Sequence, residues 1–450
     1  MQTTRRPAWV LAAFAAPCVP LAALGLPLVV YLPEYYANEL GLGLAAVGAI
    51  FTWVRLIDVG VDPLLGALMD STRTRFGRFK TWLALGTLPL FVSGWFLFFA
   101  KPGVSSTYLL VWLAVAYLAF SICVLAQTAW GAQLSEDYNQ RSRIYGWWQF
   151  ANVTGVLTAL VLAALPLLMH VAPTVARSLS VQSMGWLIMI ATPATFGIGL
   201  MLAPEPPAPL ARNTTSWSDY IGLFANAAVR RIVAVDLMFN LGLGVVAALF
   251  FFYFERVKHV SAGNTGLLLL VYFTSGLIFS PLWTALARGF EKHRAVALGA
   301  ALTGLSQLAL LMLPSSGALG PSILAVVFAG IPYSAASLLL RAMMADVSDD
   351  VRLTGGVDRT GLLYAILAST AKLGSALAVG LTFPILARAG FHAQANGADS
   401  SAALSVLTFL FIGLPAVLCM IAALILLSYR LGRQRHAAIL AELALRDANG

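Results

Sequence analysis

The sequence predicts an all-α integral membrane protein of about 12 transmembrane helices in two six-helix bundles. Of its 450 residues, 60% are hydrophobic and only 10% charged, too little polar surface to cover a water-soluble domain. Apolar runs of about 20 residues recur along nearly the whole length, and such a segment crosses hydrocarbon only when its backbone hydrogen bonds close internally. Stretches such as Leu83 to Ala100 and Leu109 to Ala126 are apolar on every side, which excludes the inside-outside alternation of barrel strands.

Six spans fall near residues 9–35, 44–68, 82–100, 107–133, 146–169 and 182–203. The first is longer than a signal-peptide core and lacks a cleavage site, so it reads as a retained span. Six more fall near 232–255, 264–286, 295–313, 320–344, 360–386 and 403–428. The expected organisation is an N-terminal bundle over 1–203, a polar, proline-rich central loop over 204–230, a C-terminal bundle over 231–430 and a tail over 431–450. Most of the 28 Lys and Arg residues fall on one side if both termini are cytoplasmic, the bias expected of a multi-pass protein of the cell inner (plasma) membrane. That distribution also accounts for the net charge of +9 without a nucleic-acid partner. The lipid bilayer and a small-molecule substrate are the expected partners, with no obligatory protein partner. Cys18, Cys123 and Cys419 lack metal-ligand spacing and read as core residues. No Ser-His-Asp set, zinc spacing or phosphate-binding glycine loop is present, so neither enzymatic activity nor a cofactor is expected.

A weak internal repeat, Asp62-Pro-Leu-Leu-Gly-Ala-Leu68 against Ser280-Pro-Leu-Trp-Thr-Ala-Leu286, links spans two and eight. Matched positions in two halves suit a transporter that rocks one half against the other. The counterpart of Asp62 is Ser280 and that of Asp58 is Gly276, so any acidic ion site belongs to the first half.

Ionisable groups inside hydrocarbon are costly and usually functional. Arg55, Asp58 and Asp62 share one face of span two, because about 100° per residue brings positions i, i+3 and i+7 nearly into line. Two carboxylates one turn apart can share a proton or a cation, with Arg55 and the mid-span Lys372 as basic neighbours. The plainer alternative is an ion pair that fixes helix packing. Asp236, about a turn inside the seventh span, suits a helix-start role or a transport role. In the loop after span two, Asp70, Arg73, Arg75 and Arg78 could form a cytoplasmic gate with Asp346 and Arg359 before span eleven; a positive-inside or merely solvated loop is the alternative. Trp53, Gln127, Trp130, Trp148 and Gln149 are candidates to line a substrate cavity, with Trp53 and Trp130 stacking on a ring or packing in the core. Tyr35, Tyr36, Tyr145 and Trp147 suit an interfacial belt.

The run Arg55-Leu-Ile-Asp58-Val-Gly-Val-Asp62-Pro63-Leu-Leu-Gly66, continued by Thr72-Arg-Thr-Arg-Phe-Gly77-Arg-Phe-Lys80, resembles the glycoside-pentoside-hexuronide:cation symporters. These form the melibiose permease family of the major facilitator superfamily. Met344-Ala-Asp346-Val, Gly355, Arg359, Gly361, Tyr364 and Lys372-Leu-Gly374-Ser-Ala form the second matching block. The resemblance implies cation-coupled symport of a small organic solute, such as a sugar or glycoside, by alternating access. It implies a cation site at Asp58 and Asp62, which would be metal ligands if sodium is the ion, and a coupling role for Arg55 and Lys372. The coupling ion would be H+ or Na+. The sequence departs from the family pattern at Ala22, Ala126 and Trp148 or Gln149, where sugar would be held, and at Val61 and Cys123 near the cation. Fewer oxygens there shift the expectation toward a proton. A lysolipid-like amphipathic cargo and a non-transporting membrane sensor are the alternative functions.

Overall fold

The computed structural model describes residues 7–134, 138–169, 171, 173–205, 222–355, 359–393 and 399–449. The described residues contain 12 helices long and apolar enough to cross a membrane. In the first half these are Ala8–Val29, Leu44–Gly66, Arg78–Phe98, Ser106–Gly131, Trp147–Pro166 and Val175–Leu202. The second half supplies Ala227–Val257, Ala262–Ala287, Lys292–Met312, Leu319–Thr354, Leu362–Arg388 and Ser401–Leu427. They are the first to twelfth spans below. The three cysteines are free and buried.

The first apolar stretch is not one straight helix. It divides into Ala8–Ala15, Cys18–Val29 and Tyr31–Asn38, in a segment carrying Pro17, Pro20, Pro27 and Pro33, each of which lacks the N–H a continuous helix requires. The last piece begins beyond the span and is tied down. Tyr35 and Tyr36 donate their hydroxyls to the carbonyls of Ala100 at 3.2 Å and Leu97 at 3.1 Å, oxygens that the end of the third helix leaves without helical partners. Both tyrosines are buried, which corrects their expected place in an interfacial belt. Trp147 is half-buried and packs edge-on against Phe150; the side chain of Tyr145 lies outside the described residues.

The chain forms two compact units. The first holds Met1–Arg212, Ser261–Leu270 and Val379–Ser400; the second holds Asn213–Val260, Val271–Ala378 and Ser401–Gly450. Within the first unit, small residues bring the second and eleventh spans close together. A Cβ on Gly48 would lie 2.8 Å from the Phe383 Cβ, and one on Gly380 would overlap the Thr52 hydroxyl.

In the second unit, Asn226 caps the seventh span, its Oδ1 accepting from the backbone N–H of Ala228 at 2.8 Å. Its Nδ2 donates to Asp350 at 2.9 Å. The seventh and twelfth spans each carry a π-helical turn, Tyr253–Val257 and Phe409–Gly413, and the Tyr253 ring stacks on Phe411 with centroids 4.3 Å apart. The repeat between Asp62-Pro63 and Ser280-Pro281 does not extend to backbone shape. Helix Leu44–Ser71 runs on through Pro63, whereas the eighth span breaks at Phe279 and restarts as Ser280–Gly289.

Candidate functional site

The unbroken helix Leu44–Ser71 carries Arg55, Asp58 and Asp62 on one face, as their spacing requires. Asp58 has a side chain 2% exposed, and its Oδ2 accepts from Arg55 Nη1 at 3.4 Å. The Arg55 guanidinium also lies over the Tyr117 ring, 4.6 Å from its centroid, so one cation faces both a carboxylate and an aromatic quadrupole. The other Asp58 oxygen accepts the hydroxyl of Ser121 in the fourth span, at 2.5 Å. Asp62 is half-buried with its Oδ1 shielded from solvent. Pro63 cannot donate to the Val59 carbonyl, which leaves that oxygen without its helical donor between the two carboxylates.

Ser121 is an oxygen-bearing residue of the fourth span that the sequence reading did not single out. Cys123 is fully buried, its Sγ pressed towards Gly86. Two positions earlier, Ser121 presents an oxygen, so the candidate set is made of hard oxygen atoms: two carboxylates and a hydroxyl. Among the described residues no cluster of three or more His, Cys, Asp or Glu side chains could hold a metal ion.

Other predicted residues are placed differently. Trp130 is 0% exposed; it meets Phe14 edge-on and donates Nε1 to the Pro204 carbonyl at 3.0 Å. Gln127 is buried and donates to the Phe14 carbonyl at 2.5 Å. Both are packed in the core of the first unit, because the fourth span needs their polar groups to satisfy backbone oxygens of neighbouring segments. Trp53, 64% exposed, belongs to an outward stripe with Ile57, Leu64 and Leu68, on a different face from Asp58. Trp148 is half-buried and Gln149 exposed. Lys372 is half-buried in the eleventh span and belongs to the second unit.

The loop after the second span has a partner that the sequence reading missed. Glu205, just beyond the sixth span, accepts the backbone N–H of Phe79 at 2.8 Å and of Lys80 at 3.3 Å, capping the third helix, Arg78–Phe98. A carboxylate there meets both orphan donors and the positive helix end. Gly77, at φ +97°, leaves the space: a Cβ on it would overlap the Glu205 side chain. Arg78 is buried with its guanidinium over Phe79, and Arg75 lies over Phe76. Arg73 is exposed; the Asp70 side chain lies outside the described residues.

Burial pushes the Glu205 carboxyl above its ordinary value of 4.5, against the lowering effect of the Phe79 and Lys80 N–H groups. The folded chain therefore holds this proton more tightly than the unfolded chain. The stability it contributes is full below the unfolded value and falls as pH rises through the folded one. Melting temperatures in detergent should show wild type gaining on Glu205→Gln as pH is lowered towards 4.5. Gly77→Ala should cost about 1–3 kcal/mol, since its backbone lies in a region that side chains avoid.

In the second unit Asp346 pairs with Lys292, both carboxylate oxygens lying 2.7 Å from Nζ. His436, in the terminal helix Arg433–Asn449, approaches Asp349 at 2.9 Å. Arg359 is half-buried, with Nη1 3.7 Å from where a Cβ on Gly222 would lie. Asp236 sits nine residues into a helix starting at Ala227, more than two turns deep. A helix-start role is thereby corrected. Asn226 already caps that end, and the Asp236 carboxylate instead accepts the Thr370 hydroxyl.

The sequence model of the family described as MFS/sugar transport protein matches residues 13–433. The chain belongs to this family. It is similar to the inner membrane symporter YicJ of Escherichia coli, 24% identical over 89% of this chain and 86% of that protein. The isoprimeverose transporter of Lactiplantibacillus pentosus is 23% identical over 90% and 84%. The nucleoside transporter NupG shares the fold, with a TM-score of 0.67 at 14% identity over 94% of this chain and all of that one. The chain is thus a multi-pass secondary transporter of the major facilitator superfamily, not an enzyme.

Proposed function

We propose that the chain is a cation-coupled symporter of a small sugar-like solute, working by alternating access in the cell inner membrane with both termini cytoplasmic. The observation that carries the reading is the buried Asp58 carboxylate, held between Arg55 and Ser121 with Asp62 one turn away. Two carboxylates one turn apart in a poorly solvated environment repel each other and favour an added proton or cation. The sugar-like cargo is supported by the family and by the named cargo of the isoprimeverose transporter.

In this reading Asp58 and Asp62 bind the ion, with Ser121 contributing an oxygen. A set of two carboxylates and a hydroxyl suits sodium as well as a proton. Arg55 holds the empty site's charge, and Lys372 couples its occupancy to that of the solute. Charge pairs involving Asp70, Arg73, Arg75, Arg78, Asp346 and Arg359 form and break as access alternates, around the two-bundle division at residues 1–203 and 231–430. Purified protein in liposomes should accumulate a radiolabelled glycoside above the outside concentration when a sodium gradient or a pH gradient is imposed. Equal uptake with and without either gradient would refute the coupling.

A further inference from the structure

The ninth span begins and the twelfth span ends around an open pocket of about 550 Å³ within the second unit. Arg294, Arg430 and Arg435 line it against a single carboxylate, Glu291, whose Oε2 lies 3.2 Å from His293 Nδ1. Arg435 is exposed and faces an equally exposed Glu442 at 3.6 Å, a contact of little strength in water. Among the described residues neither Arg294 nor Arg430 has an ion-pair partner, and both are exposed. Two helices also start at this wall, Lys292–Ala309 and Arg433–Asn449, and the orphan N–H groups of a helix start favour an anion. Behind the arginines the wall is firmly packed: Tyr429 is 6% and His293 8% exposed, with ring centroids 5.8 Å apart.

Basic residues near span ends satisfy the charge bias of membrane insertion wherever they stand. Convergence of three on one pocket is a further demand that this bias does not make. Other arginines are engaged locally: Arg230 donates to the carbonyls of Phe224 at 2.6 Å and Ala225 at 2.8 Å, and Arg75 and Arg78 lie over neighbouring phenylalanine rings. Leu427, on the pocket wall, heads an outward stripe with Leu424, Met420 and Val417, which are 67%, 65%, 41% and 52% exposed. Their spacing keeps them on one helical face. From Val417 to Leu427 that face runs about 15 Å, half of a hydrocarbon core ~30 Å thick. A water-soluble anion would leave the stripe unused, whereas an acyl chain covers it.

We propose that this pocket is a binding site for an anionic phospholipid, with Arg294 and Arg430 donating to the phosphate oxygens and one acyl chain lying along the stripe from Leu427 to Val417. Guanidinium groups suit phosphate because their N–H forks match its oxygens. Arg435 adds charge at the rim, and the two helix starts add positive potential. The site is independent of the transport cargo and of the coupling ion.

The test follows the melting temperature of delipidated full-length protein in dodecyl maltoside as dioleoyl phosphatidylglycerol, dioleoyl phosphatidylcholine or inorganic phosphate is added. A ligand of the folded state raises the melting temperature by mass action, so the titration midpoint reports affinity. Wild type should be stabilised by phosphatidylglycerol and not by the other two. The double variant Arg294→Gln with Arg430→Gln should melt as wild type does without lipid, but need about 30-fold more phosphatidylglycerol for the same shift. If the double variant does not fold, each single variant should need about fivefold more. Arg388→Gln with Lys101→Gln removes two exposed charges elsewhere and should stay within twofold of wild type. An unchanged midpoint in the Arg294 and Arg430 variants, or an equal loss in the Arg388 and Lys101 variant, would overturn the site. Equal stabilisation by phosphatidylcholine would overturn its preference for an anion, and equal stabilisation by inorganic phosphate would overturn the lipid as its source. No stabilisation of wild type by phosphatidylglycerol would overturn the proposal outright.

Discussion

Asp58→Asn is expected to abolish gradient-driven accumulation of the solute, by about 10²-fold, while leaving the protein folded. The substitution keeps the shape of the side chain and an oxygen for the Ser121 hydroxyl, which now approaches Asp58 at 2.5 Å. It removes the charge that faces Arg55 at 3.4 Å. A neutral amide can neither release a proton in the relevant range nor attract a monovalent cation against the nearby guanidinium. At about 1.4 kcal/mol per tenfold, the effect corresponds to ~2.8 kcal/mol of lost cation binding. Solute exchange at equal concentrations, which needs no net coupling, should persist. Ser121→Ala should weaken the site about tenfold, since it deletes a single hydroxyl and leaves both carboxylates. Asp58→Asn liposomes that still concentrate solute against its gradient would remove Asp58 from the coupling site.

The second large effect is on stability. Arg177 Nη1 lies 2.6 Å from Glu34 Oε2, and both side chains are almost wholly buried. Asn38 donates to the other Glu34 oxygen at 3.0 Å. The pair ties the helical piece Tyr31–Asn38 to the helix Pro173–Leu202 within the first unit. Glu34→Gln or Arg177→Met alone strands a buried charge and should cost about 3–5 kcal/mol. Removing both partners together should cost less than the sum of the single losses, because no unpaired charge then remains. Thermal unfolding in detergent of the two single variants and the double variant measures this coupling. Additive losses would show that the two side chains do not act as a pair.

The residues best read from the sequence are those whose partners lie on the same helix. Arg55, Asp58 and Asp62 are fixed on one face by helical period alone; the structure adds the burial of Asp58, the Arg55 contacts with Asp58 and Tyr117, and the Ser121 hydroxyl. Ser121 was hidden because its partner is 63 positions away and a serine in an apolar span carries little signal by itself. Glu34 and Arg177, 143 positions apart, were invisible for the same reason, although each is an ionisable group near an apolar segment. Glu205 stood in plain view beside Pro204, but a proline-rich loop gives no hint that its carboxylate caps a helix 125 positions earlier. Trp130 shows the converse difficulty. Composition allows an indole to face a ligand or a core, and only packing around Phe14 and Pro204 distinguishes them.

The helices themselves were legible as spans because hydrophobic length is set by the bilayer. Their interruptions were less so. Proline marks where a helix can bend, but Pro63 is carried within Leu44–Ser71 while Pro281 starts a new segment, Ser280–Gly289. Neighbouring packing decides between them: Trp283, fully buried, donates Nε1 to the Ile331 carbonyl at 2.8 Å and anchors the restarted helix.

The most direct test of the coupling site is the affinity of purified wild-type protein for its solute, measured by calorimetry as sodium concentration and pH are varied separately. Linkage requires that a cation bound at Asp58 and Asp62 tighten solute binding by the same factor as solute tightens cation binding. The expected result is a solute Kd that falls about 5–150-fold as one of the two cations saturates, with no such fall in Asp58→Asn. A wild-type Kd indifferent to both sodium and pH, or the same cation dependence in Asp58→Asn, would contradict it.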